Sequence, residues 1–301
     1  MERTFVYTIS HKEHDTPIGL YLKSMGFSAS NLTALKKMPE SILVNGRWEY
    51  MTYRLSEGDT LLVRLSETSG SPHIVPVPLP LSIVYEDEDI LIVSKAADTP
   101  IHPSQNNYTN TLANAVMYHY SSQGIPFTFR CINRLDRDTT GLTIIAKHMI
   151  SAGILSRSLA KRSDLSREYM ALVPCFSACG AQLPDAGVIR EPIGRKPGST
   201  IERFVDPMRG ENAVTHYRKL WQNEDTALLS LRLETGRTHQ IRVHMAYAGH
   251  PLLGDSLYGG DLQKIRRQAL HSCRLSFHHP FTKESLTFTA PLPEDMKRLI
   301  L

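Results

Sequence analysis

Four prolines between positions 72 and 80, in the stretch SETSGSPHIVPVPLPLS, restrict this chain more than any other feature. Proline lacks a backbone N–H and fixes φ, so such a run enters neither a helix interior nor a central strand. The chain therefore divides into residues 1–70, a linker at 71–82 and a larger unit at 83–301. Its 301 residues suffice for one small and one large domain whose cores need no covalent staples.

The first unit reads as helix, helix and short strands. In PIGLYLKSMG, Ile18, Leu22 and Met25 keep helical spacing, and Gly26 stands where a C-terminal cap belongs. SASNLTALKKM offers Ser30 or Asn31 as an N-cap, with Leu32 and Leu35 on one face. Asn45-Gly46 is a hairpin signal between two strand-like runs, and EGDTLLVRL closes the unit as a strand.

The second unit opens with SIVYEDEDILIVSK, a strand broken by an acidic turn, and continues with a helix over NTLANAVMYHY. FTFRCI and LTIIAK read as strands flanking NRLDRDTTG, SAGILSRSLAKRS as a helix, and REYMALV as a strand. ALLSLRLETG alternates, so Leu229, Leu231 and Leu233 share one face of a half-buried strand. RTHQIRVHMAYAGHP reads as a helix with an Ile241, Met245 and Ala248 stripe, capped at Gly249 and stopped by Pro251. The expected class is α+β, with a mostly antiparallel sheet in the second unit.

Composition, at 41% hydrophobic and 21% charged, is ordinary for a globular chain. No apolar run approaches the roughly 18 residues of a membrane span. The start, MERTFVYTIS, has no apolar signal core, so a cytoplasmic address is expected. Cys131, Cys175, Cys179 and Cys273 are too scattered for a disulfide framework, and Cys175 with Cys179 makes only half a zinc site. The formal charge of +4 is unevenly spread. Residues 1–80 carry 8 basic and 8 acidic side chains, whereas residues 130–168 carry 8 and 4. That basic stripe suits either a polyanionic partner or a plain solvated charged face.

Two constellations carry chemistry. NRLDRDTTGL sets Arg134, Asp136, Arg137 and Asp138 close together. Asp138, Thr139 and Thr140 suit side-chain-to-backbone turn bonds and Gly141 frees the backbone, which leaves Asp136 over. The plain alternative is a surface ion pair worth under about 1 kcal/mol. LETGRTHQIRVH sets Arg237, His239, Gln240, Arg242 and His244 at a helix start. Arg242 follows Ile241, beside the buried stripe, where a guanidinium must find a carboxylate or a phosphate. The spacings of His239, His244 and His250 do not stack two ligands on one helical face, so no metal is expected.

With VYEDEDILIVSK, IHPS, REYMALV, HPLLGDSLYG and LHSCRLSFHHP, these stretches resemble the RluA-type pseudouridine synthase family, in the family's order, from residue 83 to about 292. The first 70 residues resemble, more loosely, the S-four-type RNA-binding domain that often precedes that catalytic domain. The resemblance implies an enzyme that isomerises uridine to pseudouridine in structured RNA. Ribosomal RNA is the first expectation and transfer RNA the next, with no cofactor, no metal and a monomeric chain. It puts the catalytic aspartate at Asp136, the active-site tyrosine at Tyr169 and the paired arginine at Arg242. Arg134 matches an arginine used near the RNA, and Arg137, Arg237, His239 and Gln240 are expected to join it.

Three departures stand out. Asn133 replaces the family's usual histidine, Thr140 its serine, and KAADTP its proline-and-glycine turn. A non-catalytic RNA-binding protein on the same fold is the competing reading, and its mark would be loss of Asp136, Tyr169 or Arg242. All three are present. A hydrolase would need a second placed carboxylate or a metal set, and the sequence offers neither. The neutral first unit is expected to add little RNA affinity, and a cut near Gly70 to leave a folded remainder.

Overall fold

The computed structural model describes residues 1–161 and 164–301. It begins with a strand absent from the sequence reading, β1 (Glu2–Thr8), whose residues alternate around buried Phe5. Helices α1 (Ile18–Ser24) and α2 (Ala29–Leu35) follow, then β2 (Ile42–Val44), β3 (Arg47–Trp48) and β4 (Thr60–Ser66). The four strands form an antiparallel sheet in the order β1-β4-β2-β3. Asn45 and Gly46 take φ of 51° and 80°, the two-residue turn that matches strand twist. α2 starts earlier than expected because Ser28 is its cap. The Ser28 hydroxyl accepts the Asn31 N–H at 3.1 Å, and the Asn31 side chain accepts the Ser28 N–H at 2.9 Å.

The second unit runs β5 (Ile83–Glu86), β6 (Ile90–Lys95), α3 (Leu112–Ser121), β7 (Thr140–Ala146), α4 (Met149–Lys161) and β8 (Leu165–Pro174). Next come β9 (Ala186–Ile189), β10 (Ile193–Arg195), β11 (Arg203–Val205), β12 (Thr215–Gln222) and β13 (Thr226–Leu233). α5 (Gln240–Tyr247), β14 (Leu270–His278), β15 (Ser285–Thr289) and α6 (Glu294–Lys297) complete it. One sheet takes the order β5-β6-β7-β14-β8-β13-β12-β9, with β15 beside β14, while β10 and β11 form a separate hairpin. Among the described residues only the β7–β14 pairing is parallel, so the class is the mostly antiparallel α+β expected.

FTFRCI is extended chain rather than a strand, meeting β7 through a single bridge between Cys131 and Ile145. The end of the expected SAGILSRSLAKRS helix, Arg162 and Ser163, lies outside the described residues. α5 begins at Gln240, after Arg237 and His239, because His239 takes a left-handed φ of 57°.

Helices on both faces explain why β6 and β7 are almost wholly buried. α3 lays Leu112, Val116 and Tyr120 on Leu91, Val93 and Ile145, and α4 lays Leu155 on the opposite face, on Ile90, Ile92 and Ile144. Farther along, α5 sets Ile241 and Met245 on Tyr169, Ala171, Leu229 and Leu231. Leu253, Ile265 and Met296 cover Leu172 and Leu228 from the other side. ALLSLRLETG is thus a central strand rather than a half-buried one.

The first unit does not close its core alone. Ile150 and Ile154 of α4 pack among Phe5, Leu22, Phe27 and Leu32, and the Phe5 ring stacks on Phe281 at 4.5 Å. Around that core Arg3 Nε donates to Asp89 Oδ1 at 2.9 Å, and the Asn31 amide donates to the Met149 carbonyl at 3.1 Å. A cut near Gly70 therefore bares Ile150, Ile154 and Phe281, so the remainder would keep its own core but expose this face. Each such side chain contributes about 1.5–3 kcal/mol when buried. The fragment 71–301 should melt well below the full chain and scatter light on warming. Matching unfolding midpoints for the two would contradict a shared core.

Candidate active site

The loop carrying Asp136 is pinned at both ends. The Asn133 amide donates to the Leu142 carbonyl at 3.1 Å, and its Oδ1 accepts the Ile144 N–H at 2.8 Å. Lys95 Nζ donates to the Arg137 carbonyl at 2.7 Å, and burial lowers the Lys95 pKa to about 7 against the pull of Asp138 and Asp136. Asp138 does bind backbone, but that of a neighbouring loop, accepting the Asp98 N–H at 3.2 Å. Gly141 then takes a φ of 105° where β7 meets β14. A Cβ there would lie 2.2 Å from the Ser272 carbonyl oxygen, so only glycine fits.

Held this way, Asp136 faces the start of α5. Arg242 Nη1 donates to Asp136 Oδ2 at 3.1 Å. The rest of the guanidinium belongs to Asp255, with Nε on Oδ2 at 2.7 Å and Nη2 on Oδ1 at 2.8 Å. Burial alone would lower the Arg242 pKa, but Asp255 and Asp136 together raise it, so the side chain stays charged. The anion that Arg242 required is thus a pair of carboxylates. Asp255 was missed, although an aspartate in the apolar turn HPLLGDSLYG, 1% exposed, is itself a signal that a buried cation waits nearby.

Tyr258 holds a third group near Asp136. Its ring lies under Arg242, 5.0 Å from the guanidinium carbon, and its hydroxyl accepts the Arg203 N–H at 3.0 Å. The phenol proton is then free to point at His239 Nδ1, 2.8 Å away. With Nδ1 accepting, the imidazole proton sits on Nε2, which lies 3.8 Å from Asp136 Oδ2. Burial lowers the His239 pKa, with Asp136 opposing, which suits a neutral ring. The left-handed backbone at His239 is the strained geometry that places this ring.

Tyr169, on β8 between Leu231 and Ser272, is 5% exposed, and burial raises its pKa. It lines the same cleft, of about 840 Å³, as Asp136, Arg134, Arg237, His239, Gln240 and Arg242. That volume accommodates a nucleotide. Arg134 is exposed, while Arg237 is tied to Glu211 and to the Asn212 carbonyl. Gln240 is committed internally: its oxygen accepts from Thr235 and Arg237, and its nitrogen donates to Val214 and Thr215. Arg137 is not brought into the cleft and pairs instead with Asp98 and Asp138.

Among the described residues one group has metal-like spacing, Asp87, Asp89 and His279, and it lies outside the cleft. It suits a metal poorly. His279 Nδ1 accepts the Phe281 and Thr282 N–H groups, which leaves its proton on the nitrogen facing the acids, and Asp89 is already held by Arg3 and His148.

A carboxylate braced by a guanidinium beside a buried tyrosine suits covalent or proton-transfer chemistry on an enclosed base or sugar. A family model described as RNA pseudouridylate synthase matches residues 89–247, more than half the chain. The chain belongs to that family. Compared with other RNA pseudouridylate synthases, it is 44% identical over 280 residues to the Uncharacterized RNA pseudouridine synthase YjbO of Bacillus subtilis (strain 168), covering 93% of this chain and 96% of the relative. It is also 44% identical over 237 residues to the Ribosomal large subunit pseudouridine synthase D of Vibrio cholerae serotype O1, covering 74% and 71%. The solved structure titled Human RNA Pseudouridylate Synthase Domain Containing 1 superposes with a TM-score of 0.56 at 27% identity, covering 70% of this chain and 83% of that one. This RNA pseudouridine synthase is accordingly an isomerase acting on RNA.

Asp255→Asn should cost about 3–5 kcal/mol, the penalty for breaking one side of a buried ion pair, and should lower turnover with it. Tyr258→Phe keeps the ring under Arg242 and frees His239 and the Arg203 N–H. Its unfolding midpoint should stay near wild type while kcat falls, and an unchanged kcat would show that the chain through His239 is idle.

Proposed function

We propose that this synthase modifies a uridine of large-subunit ribosomal RNA, with Asp136 as the catalytic carboxylate. The observation that carries the assignment is the division of Arg242: two donors on Asp255 and one on Asp136. A guanidinium anchored that firmly holds the Asp136 carboxylate in one place, ready for attack or proton removal. Moving uracil from a nitrogen to a carbon linkage breaks the glycosidic bond, a step that carboxylates perform in glycoside hydrolysis. Tyr169 supplies an apolar ring and a protonated hydroxyl for the freed base.

A paired uridine must leave its stack first, at an unpairing cost of a few kcal/mol. Exposed Arg134 is suited to offset that cost by filling the gap. The choice of ribosomal RNA is supported by the Vibrio cholerae relative, a synthase named for the ribosomal large subunit. No helix among the described residues is long and apolar enough to cross a membrane. We place the enzyme in the cytoplasm as a monomer, with the first unit acting as a buttress more than as an RNA clamp.

Asp136→Asn should abolish tritium release from carbon 5 of labelled uridine in RNA while leaving RNA affinity nearly intact. Appreciable turnover by that variant would sink the assignment. Arg242→Met should lose activity too, and the double variant should lose little more, because the two act as one unit. Mapping pseudouridines in a deletion strain against its parent identifies the substrate. A loss confined to transfer RNA would overturn the ribosomal proposal.

A further inference from the structure

Arg167 opens the REYMALV stretch and lines the cleft, and the sequence analysis gives it no role. It stands on β8 two residues before Tyr169, so both side chains leave the same face of the sheet. Its Nε is buried without a hydrogen-bond partner, and its guanidinium makes no ion pair among the described residues. The other enclosed arginines of the cleft are spoken for. Arg242 is held by two aspartates, Arg237 by Glu211, and Arg203 by the Ile201 and Glu202 carbonyls.

Room has been left for this one. Gly236 faces it, and a Cβ at that position would come within 3.1 Å of Arg167 Nη1 and 3.5 Å of Nη2. A buried guanidinium donor with no acceptor is costly, which marks a place where an anion completes the site.

We propose that Arg167 receives a phosphodiester of the flipped uridine. The inference rests on the reading of this cleft as the uridine site. Two residues along a strand span roughly 6.5–7 Å, so Arg167 is rooted about one sugar away from the tyrosine that meets the base. That offset suits a phosphate of the same nucleotide better than a uracil oxygen. The planar fork of arginine matches phosphate oxygens two at a time, and the Nε–H without a partner is one tine of that fork.

The test uses the full chain and an in-vitro transcript of large-subunit ribosomal RNA. Arg167→Met should raise KM roughly tenfold or more with kcat little changed, and should flatten the dependence of log(kcat/KM) on log salt by about 0.7, the share of one single-strand phosphate. Arg167→Lys should keep the salt slope. A fall in kcat with KM and salt slope unchanged would overturn the proposal in favour of a role at the base.

A second measurement needs no variant. The Arg167 Nε–H resonance of the wild-type protein is followed while uridine, uridine 5′-monophosphate or uridine 3′-monophosphate is added. A shift with a monophosphate and none with uridine supports the phosphate site. Equal shifts with uridine, or no shift with any of the three, overturn it. Failure of the wider reading looks different: Asp136→Asn would still release tritium, or the wild type would not act on the transcript, while the mononucleotide titration would still report on Arg167.

Discussion

The cleft of this protein is organised around one buried guanidinium with two carboxylates to serve. Arg242 gives two N–H groups to Asp255 and one to Asp136. Desolvation makes a lone cation here prohibitive, so the pair of acids is a condition of folding as much as of chemistry. One positive and two negative charges leave the trio with a net of −1. Asp136 is therefore braced by a guanidinium that it shares with a second acid.

Bracing would be useless if the carboxylate could swing away. Asn133 closes one end of its loop against β7, and the backbone at Gly141 closes the other where β7 and β14 run parallel. That single parallel contact joins an antiparallel half bearing α3 and α4 to one bearing α5. Asp136 comes from one half and Arg242 from the other, so the site exists only because the two halves meet there. The departure at Asn133 is consistent with this. Its work is to hold backbone, which an amide does with both a donor and an acceptor.

Much of this was legible in the sequence because it is local. Alternation marked the strands, glycine and proline marked the end of α5, and the position of Arg242 beside Ile241 announced a buried charge in need of a partner. What could not be read was what partners do across distance. Asp255 is one acid in a turn until it is seen against Arg242. β1 was overlooked because its alternation is modest and its partner, β4, is distant in sequence. Gln240 looked like an RNA contact because its neighbours are basic, yet every one of its hydrogen-bonding positions is used inside the protein. The start of α5 was misjudged because no helical pattern reveals a left-handed residue such as His239.

The core shared between the first unit and the rest has a consequence for how the chain is made. A ribosome delivers Phe5, Leu22 and Phe27 early, but Ile150 and Ile154 only midway, and Phe281 close to the end. Until then the small sheet has an open apolar face, and Asp89 and His148 have yet to emerge to meet Arg3 and Phe5. Folding from the N-terminus, the usual order during synthesis, cannot finish the first unit here. The growing chain must wait for its last strands before its first ones are safe, and that interval is when the nascent protein most needs shelter.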